Sequence, residues 1–412
     1  MGRKWLAQFL EPDHATAQLL LDNLVLVGDA DLREGLRRLI EQEIAGVPPT
    51  VALVPIREVP EDYSYYKITN RNSRPTILQP TSLPGSEGLI ANLAKSARQA
   101  DITERLMTSS HSLANMRRAK CRTVFFLDDC VGSGTRVISF IRAFNRHPTI
   151  KSWCSNPKLE YRVLVYAATA TGMNKIASQR ISTNYVRKFP VFSDMDWSAS
   201  EKAAVEALCK KYAPIHMLND DTIESYQSRA QDEFPFGYGE TKGMLVFAHS
   251  VPNNLPAILW RGGTNPISRK RWMPLFPERS VPTELLPVFR ESSFRTRVET
   301  RLARLGQSKL SGGRWLKHAD DYVRKIILVL SSVARTTRTA ERISEVTGLS
   351  TLEAKLILDS CRKWGLISAS GRLSASGANE LRHAKQLHER TNREILRAPS
   401  EFYYPQSLRK AR

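Results

Sequence analysis

Two adjacent carboxylates, Asp128 and Asp129, are followed after Cys130 and Val131 by Gly132, Ser133, Gly134 and Thr135. Neighbouring carboxylates can accept hydrogen bonds from two vicinal hydroxyls of one sugar. The two glycines let backbone N–H groups approach a ligand closely, and Ser133 and Thr135 add hydroxyl donors. If a helix begins there, its N-terminus adds positive partial charge, completing a cradle for one phosphate. Acids that grip a diol beside a single-phosphate cradle suit a ribose 5-phosphate. Neither acid is placed as a nucleophile; both would orient the sugar.

These residues need a strand before them and a helix after them, and both are legible. Val124, Phe125, Phe126 and Leu127 form a continuous apolar run of the kind buried on both faces of a parallel sheet, whose carboxyl edge is where ligands bind. Val137, Ile138, Phe140, Ile141 and Phe144 then recur at helical spacing. Further strands fit Val51 to Ile56, Tyr161 to Ala167 and Met244 to Ala248, with a weaker candidate at 215–218. Helical patterns lie at 5–46, around Leu89 to Ala97, and around Leu113 to Met116. Strands alternating with helices predict a doubly wound parallel sheet over residues 1–285. The stretch 60–84 has no clear period, and Tyr63, Tyr65, Tyr66 and Lys67 within it are placed to form a mobile cover.

Other groups fall at the same edge. Arg57 follows the first core strand, in a loop where an arginine is ordinarily an exposed side chain. His249, Asn253 and Asn254 follow the strand at 244–248; the asparagines could read a nucleobase edge or simply form a turn. Arg261, Arg269, Lys270, Arg271 and Trp272 follow as a basic cluster, either a solvated loop or a contact for phosphate or single strands.

The strand, acid pair and Thr/Ser/Gly loop resemble the ribose-phosphate signature of type I phosphoribosyltransferases, with Arg136 where many members have Thr. A receiver-type strand end, whose acids hold a metal, is the alternative for the acids; it gives no reason for the Gly132–Thr135 loop. A wider resemblance spans roughly residues 5–280. It rests on Gly85, Ser86 and Glu87, on the approach from Ser110 to Lys120, on 166–172, on Phe236 to Gly239, and above all on His249 to Trp260. These look like the PRTase-CE family, phosphoribosyltransferase-like proteins of prokaryotic conflict systems including retrons. The resemblance implies that Asp128 and Asp129 contact ribose hydroxyls, that residues 132–135 hold the 5-phosphate, that Arg57 in the loop after the first core strand binds the leaving pyrophosphate, and that Mg2+ bridges pyrophosphate and ribose, reaching the acids only through hydroxyls or water. It also implies an antiphage effector that works with nucleic acid, such as retron msDNA, and with a reverse transcriptase.

The chain has 412 residues, enough for two or three domains, and its 42% hydrophobic and 25% charged content is that of a folded protein. Its net charge of +20 favours a polyanionic partner. Residues 281–412 hold 25 basic against 13 acidic side chains, so most of that excess lies in the last third. Five scattered cysteines without CxxC spacing argue against a disulfide framework or zinc knuckle, and predict a reducing, cytoplasmic setting. The longest uncharged run, 243–260, contains His249, Pro252, Asn253, Asn254 and Pro256, which exclude it as a membrane span.

Residues 286–318 read as a basic linker. Residues 319–390 then give three helical patterns, a turn at Gly348 and a hairpin near 366–373, which together predict a winged helix-turn-helix; 391–412 read as a basic tail. The recognition helix, 351–363, carries Lys355, Arg362 and Lys363 against Glu353 and Asp359, and Arg372 lies in the wing. That near-neutral balance leaves nucleic-acid and protein docking both open. Two functional classes follow: an effector enzyme acting on phosphoribosyl pyrophosphate or a nucleotide, or a non-enzymatic regulator that senses a phosphoribosyl ligand and binds DNA.

Overall fold

The structure, a computed structural model, describes residues 2–76, 86–101, 104–107, 111–155, 159–215, 235–291, 298, 301–303, 305–311, 315–335 and 338–389. The chain divides into two compact units at Phe289 and Arg290. The basic tail and positions 216–218 of the weak strand candidate lie outside the described residues.

Val25–Val27 (β1) lies between two helices where a purely helical pattern was expected. The main sheet comprises Val51–Pro55 (β2), Thr123–Val131 (β3), Glu160–Ala168 (β4) and Ser182–Lys188 (β5), in that order and all parallel. β5 has no counterpart in the sequence reading. It is an edge strand whose polar residues Ser182, Thr183 and Asn184 mask any apolar run, and only Val186 is fully buried.

Pleating sends Ala52, Val54, Val124, Phe126, Val163 and Val165 to one face. There they meet Val137, Phe140, Ile141 and Phe144 of the helix Thr135–Asn145. Phe126 packs edge-on against Phe144 at 5.3 Å and Tyr161 at 5.2 Å; each such buried ring contributes about 2–3 kcal/mol. On the other face, Asp29–Ala45 packs on β4 and β5, and Ser86–Gln99 on β2 and β3. Gly35 is required at the first contact, since a Cβ there would stand 2.9 Å from the Tyr166 ring.

Of the residues expected to form a mobile cover, Tyr65 and Tyr66 are part of this core, whereas Lys67 is exposed. Tyr65 packs on Phe140 and Phe144, and the buried Tyr66 donates its hydroxyl to His111 O at 2.7 Å. Aromatic rings without a period were legible as loop; tertiary packing made them core.

Leu245–Phe247 (β6) pairs in parallel with β1. The Phe247 ring meets Tyr166 of β4 at 5.8 Å, which fixes the segment beginning at Ala248 beside the main sheet.

In the second unit, helices Asp321–Val333, Ala340–Thr347, Thr351–Lys363 and Ala375–Glu389 enclose a core that includes Ile326, Leu330, Ile343, Ile357, Cys361 and Leu381. Gly348, at φ 71°, makes the tight turn between the second and third of these. Ser350 and Glu353 form a reciprocal capping box on the third. The wing is small, a single antiparallel bridge between Ile367 and Leu373. The expected linker is not one: Val298, Leu302, Leu305, Leu310, Trp315 and Leu316 are buried in this same core. Their arginine-rich surroundings concealed an amphipathic pattern. All five cysteines are free, and no helix among the described residues is long and apolar enough to cross a membrane.

Candidate functional site

β2 stops pairing with β3 at Leu127, whereas β4 continues alongside to Val131. Asp128 and Asp129 therefore sit inside β3, not at its end, with a strand on one side only. They are 2% and 3% exposed. Burial at this depth requires partners, and each of the four carboxylate oxygens has one. Asp128 Oδ1 accepts from Asp129 N at 2.9 Å and Asp129 Oδ1 from Cys130 N at 2.7 Å. Arg136 Nη2 donates to Asp128 Oδ2 at 2.6 Å and to Asp129 Oδ1 at 3.2 Å. His249 Nε2 lies 3.2 Å from Asp129 Oδ2, while its Nδ1 lies 3.3 Å from Asp29 Oδ1.

These partners drive the two acids apart. Burial pushes the Asp128 carboxyl up to about 8 in spite of Arg136. Burial acts in the same direction on Asp129, but the His249 hydrogen bond and the Arg136 charge override it and hold that carboxyl below the usual range. The two acids titrate as a pair, in which Asp128 is the member driven toward protonation and Asp129 the member held ionised.

The loop after β3 is built for close approach. Gly134, at φ 76°, precedes the helix Thr135–Asn145 and gives it no side-chain cap, while Ser133 Oγ accepts from Thr135 N at 3.4 Å. Ser133 Oγ, Thr135 Oγ1 and Lys175 Nζ converge, at 3.1 Å and 2.8 Å. The neighbouring helix Ala170–Ala177 is locked to the loop: Thr169 Oγ1 caps Gly172 N at 2.9 Å and donates to Gly132 O at 2.5 Å. The remaining first-turn N–H groups, two hydroxyls and an ammonium have the chemistry to hold one dianion.

The other expected residues are placed unequally. Asn254 touches Gly132, but its amide donates to Tyr238 O at 3.1 Å and Thr241 Oγ1 at 3.0 Å, so it braces the loop. Asn253 contributes its carbonyl to Tyr238 N at 2.8 Å. Arg57 is half-buried beside Tyr63 and Tyr65, whose hydroxyls feel its charge. Among the described residues, no hydrogen bond or ion pair joins it to the acids. Arg136, Lys175 and Asp29 are additions. Arg136 stood next to the motif, but its reach back to the acids is a property of the helix turn, and the other two are brought in by the fold.

Magnesium fits poorly on the carboxylates themselves, because every oxygen is engaged and a guanidinium already bridges the pair. Among the described residues, no cluster of three or more His, Cys, Asp or Glu side chains could hold a metal.

In the second unit, the helix Thr351–Lys363 exposes Lys355, Leu356, Asp359, Arg362 and Lys363, with Arg362 tied to Asp359 at 3.0 Å. Arg372 is exposed at the tip of the wing.

A family model described as PRTase-CE matches residues 3–278, and a second, described as a wHTH associated with PRTase, matches 327–410. Comparison with curated proteins and with solved structures gave no match.

Proposed function

Because the chain belongs to the PRTase-CE family, we propose that its first unit binds a ribose 5-phosphate group, as phosphoribosyl pyrophosphate or a nucleotide, at the carboxyl edge of β3. The convergence of Ser133, Thr135 and Lys175 on a helix N-terminus, next to a buried acid pair, carries this reading. The phosphate takes the loop's N–H groups, the hydroxyls and the ammonium. The 2- and 3-hydroxyls lie over Asp128, Asp129 and Arg136, which fix the sugar and so expose its anomeric carbon to in-line displacement. The bond from that carbon to the leaving group breaks as one to the acceptor forms, through an oxocarbenium-like state that the Asp129 carboxylate stabilises by charge. The acceptor is a nucleobase, or water in a nucleotide-degrading version. His249, held between Asp29 and Asp129, is the imidazole placed at this edge to carry a proton.

On the strength of the family, the chain acts as the effector of a retron-type antiphage system. The basic second unit docks a nucleic acid such as msDNA, alongside a reverse transcriptase. The exposed Lys355, Arg362, Lys363 and Arg372 support a second reading, a regulator that senses the phosphoribosyl ligand without turning it over and uses its winged helix on DNA. Metabolite profiling separates them. Expression of the wild type is expected to change nucleotide or phosphoribosyl pyrophosphate pools, and Asp128→Asn with Asp129→Asn to leave them unchanged. Equal changes with both chains would remove the enzymatic reading.

A further inference from the structure

Arg136 stands at the first turn of the helix after the loop and spans the acid pair, with one nitrogen bonded to both carboxylates. Asp128 and Asp129 side chains are 3% and 5% exposed, whereas that of Arg136 is 36% exposed. An approaching sugar therefore meets the guanidinium before it meets the carboxylates. Both bonds use Nη2, which leaves N–H groups of Nε and Nη1 to donate to a hydroxyl. A divalent ion at this position needs carboxylate oxygens, directly or through water, and would have to enter against a fixed positive charge that is never deprotonated.

We propose that Arg136 is the resident cation of the acid pair, taking the charge-neutralising place of a divalent metal, so that ribose 5-phosphate binds here without magnesium. The ligand part rests on the phosphoribosyl reading above; the metal part stands on the geometry of the pair. Arg136 ties neutralisation of the acids to the phosphate loop, because the same turn of helix supplies the guanidinium and the N–H groups of the cradle.

Mn2+, followed by electron paramagnetic resonance on the full chain, tests the metal part. The wild type should retain no more Mn2+ than Asp128→Asn/Asp129→Asn, and Arg136→Thr should bind it about tenfold more tightly than the wild type. A stoichiometric site on the wild type that the double variant loses would overturn the proposal. So would an Arg136→Thr chain, folded by circular dichroism, that gains nothing, since the arginine would then be displacing nothing. The wild-type measurement remains decisive if that variant does not fold. Calorimetry with ribose 5-phosphate tests the ligand part: wild-type affinity should agree within about twofold in EDTA and in Mg2+. Binding that requires Mg2+ would overturn the proposal, whereas absence of binding in both buffers would remove the phosphoribosyl reading and leave the manganese result to decide the role of Arg136.

Discussion

Asn254 lies against Gly132 so closely that a Cβ on Gly132 would stand 2.5 Å from Asn254 Oδ1. The two residues are 122 positions apart in sequence, and their contact joins the loop after β3 to the turn around Tyr238.

Gly132→Ala must push Asn254 off Tyr238 O and Thr241 Oγ1, at a cost of about 1–3 kcal/mol. In urea denaturation, the combination with Asn254→Ala is expected to lose clearly less than the sum of the single changes. Gly172→Ala should gain no such relief from Asn254→Ala, because its Cβ would meet the backbone oxygen of Gly132 at 2.2 Å. A strictly additive Gly132/Asn254 cycle would show that the close approach carries no energy.

Stability should fall as pH rises toward 8. The folded chain keeps a proton on Asp128, raised from 3.8 to about 8, that the unfolded chain has already released. The folded state therefore binds more protons between these values, and the loss is about 2 kcal/mol from pH 6 to pH 8. Asp129 acts in the opposite sense: its depressed pKa contributes stability above the ordinary carboxylate range that is lost on acidification below it. Denaturation midpoints across pH should show the decline in the wild type, and Asp128→Asn should flatten it.

Lys175 is exposed, and its Nζ rests on Thr135 Oγ1 at 2.8 Å. Lys175→Met should weaken ribose 5-phosphate binding by about tenfold, the worth of one charge-assisted hydrogen bond, while leaving thermal stability unchanged. Calorimetry at two salt concentrations checks this, and unaltered affinity would take the lysine out of the cradle.

His249 touches two acids of different burial, so their losses should differ. His249→Ala strips a donor from the buried Asp129 and should cost about 1–3 kcal/mol. Asp29, whose side chain is 49% exposed, should matter little, with Asp29→Asn costing under about 0.5 kcal/mol. Equal losses by chemical denaturation would mean that Asp29 anchors the ring as firmly as Asp129 does.

The acid pair, the loop and the following helix were legible because strand, turn and helix signals coincide within 124–144. The winged helix was legible for the same reason, through apolar spacing around Gly348. What stayed hidden depends on distance along the chain. The strand before His249 sets it at the edge of the acids, but nothing local pairs it with Asp129, 120 positions earlier, and Lys175 reaches Thr135 only because Thr169 and Gly172 dock their helix on the loop. Edge strand β5 escaped because its alternation is polar on both sides. Tyr65 and Tyr66 escaped because packing, not periodicity, places them.

The burial of Val298, Leu310, Trp315 and Leu316 changes what can be exchanged between proteins. A winged helix cut out at residue 319 would expose a tryptophan-lined wound on its own core and tend to self-associate. The portable module starts near Arg290, so a fusion or domain swap that respects it must carry the arginine-rich stretch along with the winged helix.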